Sequence, residues 1–474
     1  MNASLLPPFG TLPGELARAG LFAVGFGLVL LTAEAWHRRA HPPVEWTRKL
    51  VHVGFGALAA LLPWLISSPW TALALALLGG GPILLARSRG LLPSMFGVER
   101  ASRGEVYFPI GVVMLFLVGS REPVFYLISL FTLVVCDSLA ALLGKAYGRH
   151  QYLVTSERRS LEGSAVFLLA AFLGIHLPLL LMTDIDRGAC VLVAMQLALL
   201  VTSFEAIGTG GSDNLIVPLA TYYLLVKLTP QPVEGIAIQL AVQLAILMAM
   251  LVLARTTRFL SFSGAIAAHL VLYAAFSLGG PPWIVAPTLA LAATILIEGA
   301  AARAVGVPRG GYHVRVIYYV SIVAVLLLFA DNTFATLVPG ARGLTTGHPF
   351  HALFVGTLAG PVAIISYWSM ESMPRVRKRS WIHRALASAS LGFATVAPLG
   401  VWVLRGARTG MELATAALVC VGGLLLYLGL RRLAGRPPGT IWDLRLLALS
   451  VLVAALAVLP LHLRWLGVTD WRIE

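Results

Sequence analysis

Long apolar runs, each ended by a short polar break, set the rhythm of this protein from residue 16 onward. An α-helix needs about 17 to 25 such residues to cross a hydrocarbon core of roughly 30 Å, and about sixteen runs of that kind can be drawn. Their centres lie near residues 26, 58, 78, 113, 133, 173, 197, 221, 243, 269, 290, 324, 359, 394, 420 and 453. Barrel strands would alternate polar and apolar positions. These runs do not alternate, so their backbone groups must be satisfied inside helices. The pattern predicts an all-α fold, a polytopic transmembrane helical bundle. The first run, Leu16–Trp36, has no basic stretch before it and no small-residue cleavage site after it, so it reads as a retained helix, with the mature protein starting near Met1.

Composition agrees. Of 474 residues, 58% are hydrophobic and 12% charged, against roughly 25% charged in a soluble domain. The formal net charge of +14 belongs to interhelical loops rather than to a basic arm with interleaved aromatics, which argues for orientation in a membrane and against nucleic acid. Counting loops from the first helix, the odd ones hold the cations: Arg38, Arg39, Arg48 and Lys49, then Arg87, Arg89, Arg100 and Arg103, then Lys145, Arg149, Arg158 and Arg159. Arg405 with Arg408 is the exception. The positive-inside rule puts the odd loops in the cytoplasm and both termini on the far side. Lys49, Lys145, Lys227 and Lys378 are the only lysines; an arginine bias this strong suggests a GC-rich bacterial genome, hence a plasma membrane. Cys136, Cys190 and Cys420 all sit in apolar runs without metal or redox spacing.

Unusual polar residues concentrate before the turn at Thr229–Pro232, so the sequence reads as two parts, 1–230 and 231–474, the second bland apart from Glu298 and Asp331–Asn332. Ionisable groups in or beside spans are costly and are functional candidates by default. Asp137 opens the run DSLAALLGKAYGRH, where Gly144 and Gly148 allow a helix or a phosphate to come close, and Lys145, Arg149 and His150 gather positive charge. Ser160, Glu162 and Gly163 follow in SLEGS at a helix start, a place suited to phosphate. Glu205 and the pair Asp213-Asn214 bracket the Gly208–Gly211 turn, and their oxygens suit Mg²⁺. Arg48, Lys49, His52, Arg103 and Glu105 lie in the remaining odd loops, so topology and chemistry both point to one cytoplasmic site.

Taken together, RKLVH (Arg48–His52), RGEVYFP (Arg103–Pro109), DSLAALLGKAYGRH (Asp137–His150), SLEGS (Ser160–Ser164) and EAIGTGGSDNLIVP (Glu205–Pro218) resemble the CTP-dependent lipid-alcohol kinases, the family of phytol kinase, dolichol kinase and the CTP-dependent diacylglycerol kinase. The resemblance covers about residues 15–230. Members carry lysine before the Ser-Leu-Glu-Gly run, where this protein has Arg159. It implies transfer of the γ-phosphoryl group of CTP, with Mg²⁺, to a membrane lipid alcohol. On that reading Lys145, Arg149 and Arg159 hold the nucleotide phosphates together with Gly144, Gly148, Ser160 and Gly163, and Arg48, Lys49 and Arg103 are further phosphate contacts. Asp137, Glu162 and Asp213 serve Mg²⁺ with Asn214 as auxiliary ligand, and the base is Asp213, Glu205 or His52. Two alternatives stay open: a cytidylyltransferase making a CDP-lipid, whose motifs are similar, and a transporter. Both a monomer and a homo-oligomer are compatible with the apolar runs.

Overall fold

The computed structural model describes residues 12–89, 103–155, 157–257, 259–306, 311–337, 348–403, 409–435 and 441–466; Arg100, Arg405 and Arg408 fall outside them. Among the described residues, thirteen helices are long and apolar enough to cross a membrane, and the protein is an integral membrane protein. Each centre named above lies in a helix. Three of those helices, however, Val44–Ala60, Gly104–Gly119 and Asp213–Leu228, have only 17, 16 and 16 residues. At about 1.5 Å per residue they reach roughly 24–26 Å, less than a hydrocarbon core. All three carry motif residues near their starts, where polar side chains replace apolar ones.

The protein divides into two compact units, Met1–Ala241 and Val242–Glu474. The first contains α1 (Leu12–Ala40), α2 (Val44–Ala60), α3 (Pro69–Ser88), α4 (Gly104–Gly119), α5 (Pro123–Tyr147), the strands β1 (Gln151–Val154) and β2 (Glu157–Ser160), α6 (Leu161–Met182), α7 (Arg187–Ile207) and α8 (Asp213–Leu228). In it α1 packs on α2, α3 on α4, α4 on α8, and both α5 and α7 on α6. Helix starts follow local chemistry. Ser68 Oγ accepts from the Thr71 amide ahead of Pro69, and Asp186 Oδ1 accepts from the amides of Gly188 and Ala189, which satisfies N–H groups that have no intrahelical acceptor. The hairpin, pairing Gln151 with Ser160 and Val154 with Glu157, is absent from the sequence-based expectation.

The division falls within α9 (Val233–Thr257). The second unit holds α10 (Phe262–Gly279), α11 (Pro281–Val305), α12 (Val314–Leu337), α13 (His351–Ser372), α14 (Trp381–Trp402), α15 (Thr409–Ala434) and α16 (Ile441–Trp465). Its axis is α13, with 89% of the apolar window buried and α11, α12, α14, α15 and α16 around it. A Cβ at Gly392 on α14 would stand 2.7 Å from backbone atoms of Ala359 and Ala363; in lipid such close backbone approach through small residues is what holds helices together. The intramembrane acids here have partners inside the unit. Glu298 accepts from the Ser369 hydroxyl, and Asp331 binds His348 Nδ1 at 2.8 Å and the Phe350 amide at 2.9 Å.

Candidate active site

Three carboxylates from three helices converge in the first unit. Asp137 lies in α5 directly after a π-turn at Thr132–Cys136, Glu205 in the last turn of α7, and Asp213 at the start of α8. One oxygen from each lies within 4.8 Å of the others. At that spacing and an effective dielectric of about 20, each like-charged pair repels by about 3 kcal/mol, so the cluster needs cations.

Two side chains supply them. Lys49 Nζ, on α2 and almost fully buried, stands 2.5 Å from Asp137 Oδ2. The Arg159 guanidinium, from β2, binds the Glu205 carboxylate, donates to the Gly208 carbonyl at 2.8 Å and reaches Asp213 Oδ2 at 3.4 Å. One planar fork therefore joins the end of α7, the glycine turn and the start of α8, a task its rigid geometry suits. Asp137, Glu205 and Asp213 are thus the residues that could hold a divalent ion, since carboxylate oxygens are the ligands Mg²⁺ prefers.

The π-turn presents the Leu133 carbonyl to His52 Nε2 at 3.2 Å. A carbonyl only accepts, so Nε2 carries the proton. The same nitrogen lies 3.6 Å from Asp137 Oδ2, and the ring packs on Phe108 at 4.7 Å between centroids.

Glycines shape the floor. Gly210 and Gly211 have φ of 63° and 86°, left-handed conformations that cost a glycine little. Their turn is tied on both sides: Gly210 N–H donates to Glu157 Oε1 at 2.9 Å, and the Gly210 carbonyl accepts from the Arg103 amide at 3.0 Å. Gly144 on α5 and Gly163 on α6 face one another, a Cβ on Gly144 meeting Gly163 Cα at 3.0 Å. Their absent side chains thus serve helix contact. Ser160 Oγ caps α6 by accepting from the Gly163 amide at 3.1 Å. Tyr152 anchors the hairpin through a 2.9 Å hydrogen bond to Ser164 Oγ, and burial pushes its phenol pKa up.

The three carboxylates, Lys49, Arg159 and His52 line one cavity of about 880 Å³. Its polar half contains Arg48, Lys49, His52, Asp137, Lys145, Arg159, Glu205, Asp213 and Asn214, with Gly144, Gly148, Ser160 and Gly163 in its wall. Its other half is apolar, formed by α1, α2, α3 and α4 through residues such as Phe26, Phe55, Gly79 and Val112. Three expected residues do not line it. The Glu162 carboxylate accepts from the amide and Nδ1 of His150 and lies apart from the acid cluster, where Glu205 stands in its place. Arg103 contributes only its backbone to the glycine turn, and Arg149 is exposed on the far side of Gly148 in sequence. Sequence reasoning missed Gln151 and Glu157, which line the cavity from the hairpin, and the Arg87–Glu105 ion pair at its margin. An acid at the start of a basic ERRS strand was the available signal for Glu157.

Fold and site together describe a membrane-embedded cavity in which an acidic, cation-balanced cradle opens onto an apolar arm. Over 206 residues, 43% of this chain and 87% of the relative, the sequence is 34% identical to the phytol kinase of Synechocystis sp.. The chain belongs to the family of lipid-alcohol kinases that includes phytol kinase. No family model matches it, and no solved structure does.

Proposed function

We propose that the protein transfers the γ-phosphoryl group of CTP to the hydroxyl of a membrane lipid alcohol, an isoprenoid alcohol such as phytol or a polyprenol, at the cytoplasmic face of a bacterial plasma membrane. The observation that carries this reading is the two-part cavity, whose apolar arm meets the polar cradle where Lys49 pairs with Asp137. A lipid alcohol needs that junction: its tail stays in a lipid-like environment while its hydroxyl faces a nucleotide. The relative's name supports kinase chemistry, and the basic odd loops support the cytoplasmic side.

Phosphoryl transfer asks mainly for positioning and charge neutralisation. Asp137, Glu205 and Asp213 fit Mg²⁺, with Asn214 beside them, and a bound Mg²⁺ would neutralise charge on the phosphates. Lys49, Lys145 and Arg159 lie where they can bind the phosphates, with Arg48 at the margin. Gly144 and Gly163 set the wall between α5 and α6. His52 donates its Nε2 proton to the Leu133 carbonyl, with Asp137 Oδ2 3.6 Å away, so we assign the proton acceptor for the lipid hydroxyl to a carboxylate of the cluster.

The test is to incubate the purified protein in detergent with Mg²⁺, CTP, other nucleoside triphosphates and a panel of lipid alcohols, with phosphatidate alongside, and to identify products by mass spectrometry. A lipid monophosphate with CDP is expected. A CDP-lipid with pyrophosphate would replace this reading with a cytidylyltransferase.

A further inference from the structure

The apolar arm has a definite depth. On α2 the residues facing it are Val51, Phe55 and Ala59, four apart, with Leu62 just beyond the helix end. On α3 the lining runs from Ile83 beside the polar cradle down through Gly79 and Ala76 to Ala72. Both sets follow one helical face. From Lys49 to Leu62 on the α2 side, and from Ile83 to Ala72 along α3, the arm extends about 16–20 Å at about 1.5 Å per residue.

Its end is closed. Ala59, Leu62, Ala72 and Leu75 are 2–5% exposed and belong to the same packed cluster as Ile66 and Phe116. Gly79 lines its middle, where a Cβ would already touch the Phe26 ring at 3.5 Å and the Phe55 ring at 3.7 Å, so a side chain larger than alanine would narrow the arm. Stripes of small residues in lipid normally receive a neighbouring helix; this one borders empty volume joined to the acid cluster.

We infer that the arm is a length gauge for the acceptor, with Gly79 setting its bore and Leu62, Ala72 and Leu75 its floor. Each carbon–carbon bond along an extended prenyl tail advances about 1.25 Å, so an isoprene unit takes about 5 Å and the arm holds three to four units. This inference rests on the lipid-alcohol reading for its ligand. Acceptors of three or four units sit with the hydroxyl at Asp137 and the tail end at Leu62. Shorter ones leave the floor empty and longer ones do not seat, which narrows the acceptor from polyprenols to alcohols of the size of phytol.

The test measures binding and turnover separately across prenyl alcohols of two, three, four and about ten units. Native mass spectrometry of the detergent-solubilised full-length protein, without nucleotide, reads retention; phosphorylation with CTP reads kcat/KM. Retention and kcat/KM should peak at three to four units. Gly79→Leu should lower retention of the four-unit alcohol about tenfold, the equivalent of roughly two buried methylenes, and leave the two-unit alcohol bound. Leu75→Ala, which opens the floor without crowding the bore, should move the optimum to a longer tail. Indifference of wild type to length, or an unmoved optimum in Leu75→Ala, overturns the gauge. Length-selective retention without phosphorylation would keep the gauge and overturn the kinase reading, whereas phosphorylation indifferent to length would do the reverse.

Discussion

Lys49 and Asp137, 88 positions apart in sequence, meet Nζ to Oδ2 at 2.5 Å at the junction of the polar cradle and the apolar arm. The pair fixes α2 against α5 where the two halves of the cavity join. Buried ion pairs add little net stability, but breaking one by removing a single partner costs about 3–5 kcal/mol because the other charge is stranded.

Asp137→Asn should therefore lower both activity and stability, with kcat/KM for CTP falling by at least about 10²-fold as a charged group is lost from the reacting region. In Asp137→Asn/Lys49→Met the stranded ammonium is gone, so the thermal midpoint should recover most of the loss while activity does not. Recovery of activity would remove Asp137 from the chemistry.

Arg159 occupies two of the carboxylates that would hold a metal. Metal and nucleotide binding should consequently be interdependent: CTP phosphates draw Arg159 away from Glu205 and Asp213 and leave those oxygens to Mg²⁺. Titration calorimetry should give tighter Mg²⁺ binding with CTP than without, by about 5- to 150-fold as typical couplings go, and Arg159→Gln should reduce that ratio towards unity.

Arg159→Lys restores the residue that the family resemblance leads one to expect. A single ammonium cannot reproduce a fork spanning Glu205, Gly208 and Asp213, so the glycine turn should loosen. Hydrogen exchange at the amides of Thr209–Ser212 should rise, while CTP turnover persists because the positive charge remains. Unchanged exchange would mean that Glu157 and Arg103 alone hold the turn.

Glu162 and Glu205 separate two metal assignments. With Glu162 on His150 and Glu205 in the acid cluster, Glu205→Gln should cost at least about 10²-fold in kcat/KM. Glu162→Gln, which keeps an acceptor for the His150 amide, should cost less than about tenfold. The opposite ranking would restore the expectation drawn from the SLEGS motif.

Gly163 lies where α5 and α6 touch, and a Cβ there would stand 3.1 Å from the Ala140 carbonyl and 3.2 Å from Gly144 Cα. Gly163→Val should lower stability by about 1–3 kcal/mol through overpacking, read as a fall in thermal midpoint that nucleotide does not restore. A pure phosphate-cradle role would instead raise KM for CTP at unchanged stability.

The helical character of this protein was legible because the bilayer imposes it locally: a span either contains enough consecutive apolar residues or it does not, and the run around Leu161–Met182 can be judged without knowing its neighbours. The polar residues of the site were legible for the same reason, since Asp137 and Glu205 are conspicuous in apolar surroundings. Which acids meet was not. Glu162 was expected beside Asp137 and Asp213 at the metal, with Glu205 a candidate base, but Glu162 lies against His150, and only the packing of α5, α7 and α8 brings Glu205 to Asp137 and Asp213. Gly144 read equally well as space for a phosphate or for a helix, and Gly163 as a place for phosphate; the structure puts the two glycines at the α5–α6 contact. The tail arm had no signature in any one segment, because its wall is one face each from helices far apart in the sequence. Sequence determined what each stretch can be dissolved in and which side chains are costly there; tertiary structure decided which costly side chains neutralise one another and where volume is left empty, because charge pairing and cavities are properties of several helices at once.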